Sequence, residues 1–191
     1  GITVDGLANS LPDGVEAIGV AFGEDKFDVV PSDSVFGKEA IRFKISYVLP
    51  GWTEVFTFDM MEGDSRLSGN PHEVIVPLSA ARKLFGERES YLGLTFEPAK
   101  NAKAYFKITG VYRDFPKNTI VANTCYMVIP EGVYGKIKKD GISSNYQCYF
   151  RLHKGITSEL AEKDLFTKFV NNALGKKDGE EDLAKAGFRL Y

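Results

Sequence analysis

The stretch AIRFKISYV, residues 40–48, alternates Ile41, Phe43, Ile45 and Tyr47 with Arg42, Lys44 and Ser46, and no other feature limits the fold more. A period of two sends alternate side chains to opposite faces of an extended chain, so a half-buried strand is expected here. Similar patterns occur in GVEAIGVAF (14–22), YFKITGVY (105–112), TCYMVI (124–129) and YQCYFRLH (146–153). Most of the spacers between them contain Gly, Pro, Asn or Asp, which set turns.

Helical spacing is clear in two places. TSELAEKDLFTKFVNNALG repeats Ala161, Leu165, Phe169 and Ala173, flanked by Phe166, Val170 and Leu174, at three- and four-residue steps. Thr157 stands where an N-cap is needed, Glu159 and Glu162 at the positive end of the dipole, and Gly175 with Lys176 and Lys177 at the stop. The second helix, LSAARKLFG, ends at Gly86 and turns Leu78, Ala81, Leu84 and Phe85 toward a core. VDGLANSL and EEDLAKAG are shorter helical candidates. Strands in runs, with helices between some of them, predict an α+β fold with mixed or antiparallel sheets and a few helices, not a regular doubly wound one.

With 191 residues, 43% hydrophobic and 26% charged, the chain can bury one domain or two small lobes. Its net charge of -2, with Lys and Arg scattered, excludes nucleic acid as the main partner. Apolar runs such as EAIGVAF and CYMVIP fall far short of the roughly 20 residues that a membrane-spanning helix needs. The opening GITVDGL and the ending GFRLY, inside a strand-like pattern, suggest a piece excised from a longer protein.

Cys125 and Cys148 lie far apart with no C-x-x-C pair, so they signal neither zinc nor a redox motif. Cys125 shares a strand face with Met127 and Ile129, and Cys148 with Tyr146, Phe150 and Leu152, as small core residues do. A disulfide across neighbouring strands would require an oxidising compartment.

Among residues that carry chemistry, Ser79, His72 and Asp64 or Asp59 are the set a hydrolytic triad would draw on. A nucleophile elbow wants G-x-S-x-G, whereas Ser79 lies in PLSAA. After Pro77, Ser79 reads as a helix-start residue whose hydroxyl accepts an orphan amide bond. His72 and His153 are the only histidines and read as surface residues, which leaves a metal site little to draw on. GEDKFD and GEED are loop-like charge clusters without calcium-loop spacing, and GVYGKIKK lacks the spacing of a phosphate cradle. No catalytic residue, metal site or cofactor is expected. The stretch LPGWTEVFTFDMMEGD places Trp52, Phe56, Phe58, Met60 and Met61 within ten residues, either as core or as the lining of a ligand groove.

In order, these segments resemble the MacB-like periplasmic core domain, the extracytoplasmic module of FtsX/MacB-type ABC transporter permeases. YVLPGWTEVFTFDMMEGD looks like the family's aromatic stretch leading to a Gly, with Trp52, Phe56 and Gly63. NPHEVIVPLSAARKLFG looks like its strand and S-x-A-x-x-L-F-G helix, with Ser79, Ala81, Leu84, Phe85 and Gly86. YLGLTF supplies the turn glycine, Gly93, and FKITGVYRDFPKNTIV the T-G-V strand end with Gly110, followed by Asp114, Pro116, Lys117 and Asn118. YFRLHKGITSELAEKDLFTKFV fits the strand and helix that usually follow.

The resemblance implies a non-enzymatic periplasmic domain held between transmembrane helices of an inner-membrane permease, which would pair as a dimer and work with a separate cytoplasmic ATPase. It further implies a discontinuous porter-like lobe, 1–62 and 119–191, and an inserted sabre-like lobe, 63–118. ATP-driven movement would then serve export or extraction of an envelope substrate, or activation of a partner such as a periplasmic adaptor. The loop YRDFPKN is the expected partner contact, with Arg113, Asp114 and Lys117 for charge and Phe115 as an apolar tip. The competing readings are a ligand-sensing or solute-binding module built on the Trp52 aromatics and a hydrolase using Ser79.

Overall fold

A computed structural model of the chain describes residues 11, 13–32, 40–100, 104–129 and 147–164, with side chains to 161. The helical candidates VDGLANSL and EEDLAKAG, the GVYGKIKK and GEED motifs and the helix beyond Asp164 lie outside the described residues. In chain order the elements are β1 (Val15–Pro31), β2 (Ile41–Val48), α1 (Trp52–Val55), β3 (Met60–Gly63), β4 (Glu73–Pro77) and α2 (Leu78–Phe85). There follow β5 (Thr95–Pro98), β6 (Phe106–Tyr112), β7 (Cys125–Val128), β8 (Gln147–Leu152) and α3 (Ser158–Asp164). The fold is α+β, as the alternating patterns predict, and its strands make one mixed sheet.

The sheet closes on itself. β1 pairs with β2, β2 with β7, β7 with β4, β4 with β6, β6 with β5, and β5 again with β1. The β2–β7 and β4–β6 pairs are parallel and the others in the ring antiparallel. β8 adds antiparallel to the first half of β1, and β3 to β6.

β1 makes this closure possible because one of its edges carries β2 while the other carries β8 and then β5. A 17-residue strand spans roughly 56 Å at about 3.3 Å per residue, too long to stay flat in a small domain. It is bent by a bulge between Ala21 and Glu24, where Gly23 has φ 112°, a conformation that glycine adopts at little cost. The charged run GEDKFD is thus the middle of a strand, not the loop expected from its composition. Pairing with β2 holds it there, aided by Lys44 with Glu24 and Arg42 with Asp28, each at 3.0 Å.

Alternation sorts the side chains into two layers. Val29, Ile45, Val74, Val76, Phe96, Phe106, Ile108, Cys125 and Met127 come from all six ring strands and form the enclosed core, to which α2 adds Ala81, Leu84 and Phe85. Ile75, Tyr112 and Tyr126 point the other way, into a second cluster under Trp52 and Phe58. Ser46 belongs to that outer face and is nonetheless buried, its hydroxyl donating to Glu24 Oε1 at 3.4 Å. α2 stops at Gly86, whose N–H donates to the Arg82 carbonyl at 2.8 Å. Thr157 Oγ1 accepts from the Leu160 N–H at 3.3 Å, and α3 starts there as its spacing predicts.

Gly110 pairs with Gly63 where β3 meets β6. A Cβ on Gly110 would stand 2.8 Å from the Asp64 carbonyl oxygen and 2.7 Å from Met60 Cε, so the backbones approach closely only because the residue is glycine. Gly110→Ala should therefore lower stability by about 1–3 kcal/mol in urea unfolding. Gly69→Ala, whose Cβ would meet nothing within 4 Å, should stay within about 0.5 kcal/mol of the parent chain.

Candidate functional site

The outer layer and the loop from Arg113 to Thr124 form the most elaborated surface of the described residues. α1 begins with Trp52, 4% exposed, whose ring packs on Phe56 at 4.7 Å, Tyr149 at 5.6 Å and Tyr126 at 5.8 Å between centroids. Phe58 continues the layer, edge-on to Tyr112 at 5.0 Å and to Phe115 at 5.1 Å. Such offset and edge-to-face pairs each add about 0.5–1.5 kcal/mol beyond area burial. Most of the aromatic stretch therefore serves as core, and a cleft of about 400 Å³ opens beside Trp52. The indole Nε1–H of Trp52 is buried with no hydrogen-bond partner among the described residues, a condition that costs roughly 1–3 kcal/mol.

The loop is held at both ends by tyrosines. Tyr112 donates its hydroxyl to the Thr124 carbonyl at 2.6 Å and accepts from the Thr124 N–H at 3.1 Å. Tyr126 donates to the Ala122 carbonyl at 2.6 Å. Burial pushes both phenols well above the ordinary tyrosine range, so they stay neutral donors. Asn123 brackets Phe115, accepting its N–H at 2.7 Å and donating to its carbonyl at 2.8 Å. Phe115 is consequently half-buried against Phe58 and Tyr112, and the exposed apolar residue of the loop is Ile120, 73% exposed. Arg113 Nε lies 2.8 Å from Asp59 Oδ2, both groups exposed, while Pro116 and Lys117 face solvent. A pair so exposed contributes about 0–1 kcal/mol.

Asp114 reaches across to α2. Its Oδ1 accepts the Ser79 N–H at 3.0 Å, so the helix is capped by a carboxylate 35 residues away. This corrects the sequence reading of Ser79. The N-cap position is Pro77, no side chain within α2 caps it, and Ser79 offers its amide to Asp114 and not its hydroxyl to a neighbour. An extended Pro77 at ψ 150° opens the helix but has no side-chain acceptor, which leaves the role to another segment.

The triad set is not brought together as a relay. His72 stacks on Tyr105, centroids 4.4 Å apart, with Nδ1 2.9 Å from the Tyr105 carbonyl. Asp59 is taken by Arg113 and Asp64 by Arg66, whose hydrogen bonds hold the Asp64 carboxyl below the usual carboxylate range. Both cysteines are free, Cys125 buried and Cys148 half-buried. Burial pushes the Cys125 thiol well up and the Cys148 thiol to about 11. Among the described residues no group of three metal-ligating side chains converges. Gly93 lies in the turn before β5 and donates its N–H to the Ile108 carbonyl at 2.8 Å.

No protein-family model matches the chain, and no curated protein matches it. Solved structures do. A domain of a protein described as a permease, from Porphyromonas gingivalis, superposes with a TM-score of 0.66 at 21% identity, over 90% of this chain and 77% of that one. The periplasmic region of MacB from Actinobacillus actinomycetemcomitans gives 0.63 at 19% identity, over 97% of this chain and 82% of that one. This is the MacB periplasmic fold. The extracellular domain of the noncanonic ABC-type transporter YknZ from Gram-positive bacteria shares it, with a TM-score of 0.59 at 15% identity over 92% of this chain and 86% of that one.

Within this MacB-type fold, the residues singled out from sequence divide by what they touch. Ala81, Leu84, Phe85, Trp52 and Gly110 are packed inside, whereas Arg113, Pro116 and Lys117 are exposed and Asp114 ties their loop to α2. The cap that joins loop and helix was not foreseeable from spacing, since a carboxylate 35 residues downstream leaves no local signal. Asp114→Ala should cost about 1 kcal/mol in chemical denaturation and Asp114→Asn distinctly less. Ser79→Ala should be nearly neutral; a large loss there with none at Asp114 would return the cap to the hydroxyl.

Proposed function

We propose that the chain is the extracytoplasmic domain of an ABC-type permease, without chemistry of its own, that carries movement driven by a separate cytoplasmic ATPase to an envelope substrate or a partner. The observation that carries this reading is the likeness in fold, over 90% or more of the chain, to a domain described as a permease's, to the periplasmic region of MacB and to the extracellular domain of an ABC-type transporter. Among the described residues no helix is long and apolar enough to cross a membrane, which fits a domain whose spans lie elsewhere in its parent protein. Dimer formation would rest with those spans, and a periplasmic adaptor is a candidate partner.

The same reading divides the chain into a lobe of 1–62 and 119–191 and an inserted lobe of 63–118. The two would be joined through the β1–β5, β3–β6 and β4–β7 pairings, so force on one would reach the other through strands and not through a slack linker. Partner contact is placed on the exposed side of the 113–124 loop, at Arg113, Pro116, Lys117 and Ile120, with Asp114 and Phe115 holding that loop from behind.

Topology is the direct test. In the parent protein, Lys117→Cys should react with a membrane-impermeant maleimide in intact cells whose outer layer has been permeabilised. Background from Cys125 and Cys148 should be low, because both thiols are shielded and their raised pKa keeps them protonated near neutral pH. Labelling only after the inner membrane is broken would place the domain in the cytoplasm and end the reading.

A further inference from the structure

Tyr112 and Tyr126 stand at the two ends of the 113–124 loop, and their hydroxyls grip Thr124 and Ala122, so the chain leaves and re-enters the sheet at one place. Between those ends the hydrogen bonds run mostly within the loop. Asn123 joins both backbone groups of Phe115, and Thr119 donates its N–H to the Pro116 carbonyl at 3.1 Å and its hydroxyl to the Val121 carbonyl at 3.0 Å. A compact loop closed on itself in this way is an Ω-loop. Its seat on the domain is small: Phe115 lays its ring against Phe58 and Tyr112, centroids 5.1 and 5.4 Å away, Val121 is buried in the same cluster, and Asp114 caps α2.

α2 depends on that seat in turn. The first amides of a helix have no partner inside it, Pro77 supplies no side-chain acceptor, and the Ser79 N–H is met by Asp114 at 3.0 Å. The rest of the helix needs no such help, because Ala81, Leu84 and Phe85 are fully buried in the ring core. Loss of the cap would therefore loosen only Leu78, Ser79 and Ala80, of which Ser79 is exposed and the other two half-buried. Asp114 precedes Phe115 in the chain, so the brace that fixes Phe115 also aims the carboxylate. A loop without the Asn123 brace would lose its seat and its cap together.

We propose that residues 113–124 and the first turn of α2 form one opening unit, braced, seated and capped together or released together, while the ring stays closed. Consecutive residues carry the cap and the seat, and this makes the unit a two-state element. Under the proposed permease role, on which this consequence rests, a partner that draws on exposed Lys117 and Ile120 would uncap α2 without touching it. Contact at the loop tip would thereby be read at a helix packed on the ring core.

Native-state hydrogen exchange at graded low urea tests the unit, with each variant read at an amide whose own acceptor it leaves in place. Asn123→Ala should speed exchange of the Ser79 amide about fivefold, and Asp114→Ala should speed that of Phe115 and Thr119 about fivefold. In the parent chain these three amides should share one opening free energy and a shallow urea dependence, well below the steep one of Val76 and Ile108 in the core. Ser79 unmoved by Asn123→Ala, or Phe115 and Thr119 unmoved by Asp114→Ala, would mean that helix start and loop fray separately and would overturn the proposal. So would a Ser79 amide with the urea dependence of Val76, since the unit would then open only with the whole fold. No partner enters this experiment, so its failure would remove the opening unit and leave the permease reading to the labelling test.

Discussion

β1 pairs along one edge with β2 and along the other with β8 and then β5, and that double use of a single strand closes the sheet. Without it, the β2–β7–β4–β6–β5 path would be an open ribbon with its core-facing residues on one side and nothing opposite them. Closure lets Val29, Phe43, Val76, Phe96, Ile108 and Met127 meet one another, and each such side chain gains roughly 1.5–3 kcal/mol by leaving water. The bend that permits closure is located at the Ala21–Glu24 bulge, where one glycine has a left-handed φ.

The other face of the ring has a different chemistry. There the cover is a layer of aromatic rings from α1, the segment after it, β7 and β8, and the loop after β6 is fastened to that layer by tyrosine hydroxyls, Asn123 and the Phe115 ring. The only described buried side-chain donor without a partner, Trp52 Nε1, is in this layer beside the cleft. Asp114 then links the loop to α2, so the outer loop, the helix and the ring strands are mechanically continuous. That continuity suits the proposed role, in which force and not chemistry passes through the domain.

Much of this was legible in the sequence wherever one local rule acted alone. The alternation in Ile41–Val48 marked β2, and the three- and four-residue spacing of Ala81, Leu84 and Phe85 marked the buried face of α2 with its stop at Gly86. Composition misled at Gly23–Asp28, because a strand whose side chains reach solvent on one face can be as charged as a loop, and only pairing with β2 distinguishes them. The cap of α2 was missed for the same kind of reason. Ser79 has the right chemistry and the right neighbourhood, but the acceptor came from Asp114, which sequence spacing assigned only to an exposed loop. The cleft beside Trp52 is lined from β1, β2, β7, β8 and the 113–124 loop together, a meeting of distant segments that no local spacing announces.

Ring closure is therefore the claim on which the core, the outer layer and the placement of the loop all rest. Native-state hydrogen exchange read amide by amide tests it most directly. In a closed ring, the amides of Val29 in β1, Ile45 in β2, Val76 in β4 and Ile108 in β6 should open in one cooperative unfolding step, with a common free energy and a common denaturant dependence. If Val76 and Ile108 opened several kcal/mol more readily than Val29 and Ile45, the sheet would behave as two separate halves and the account of its closure would be wrong.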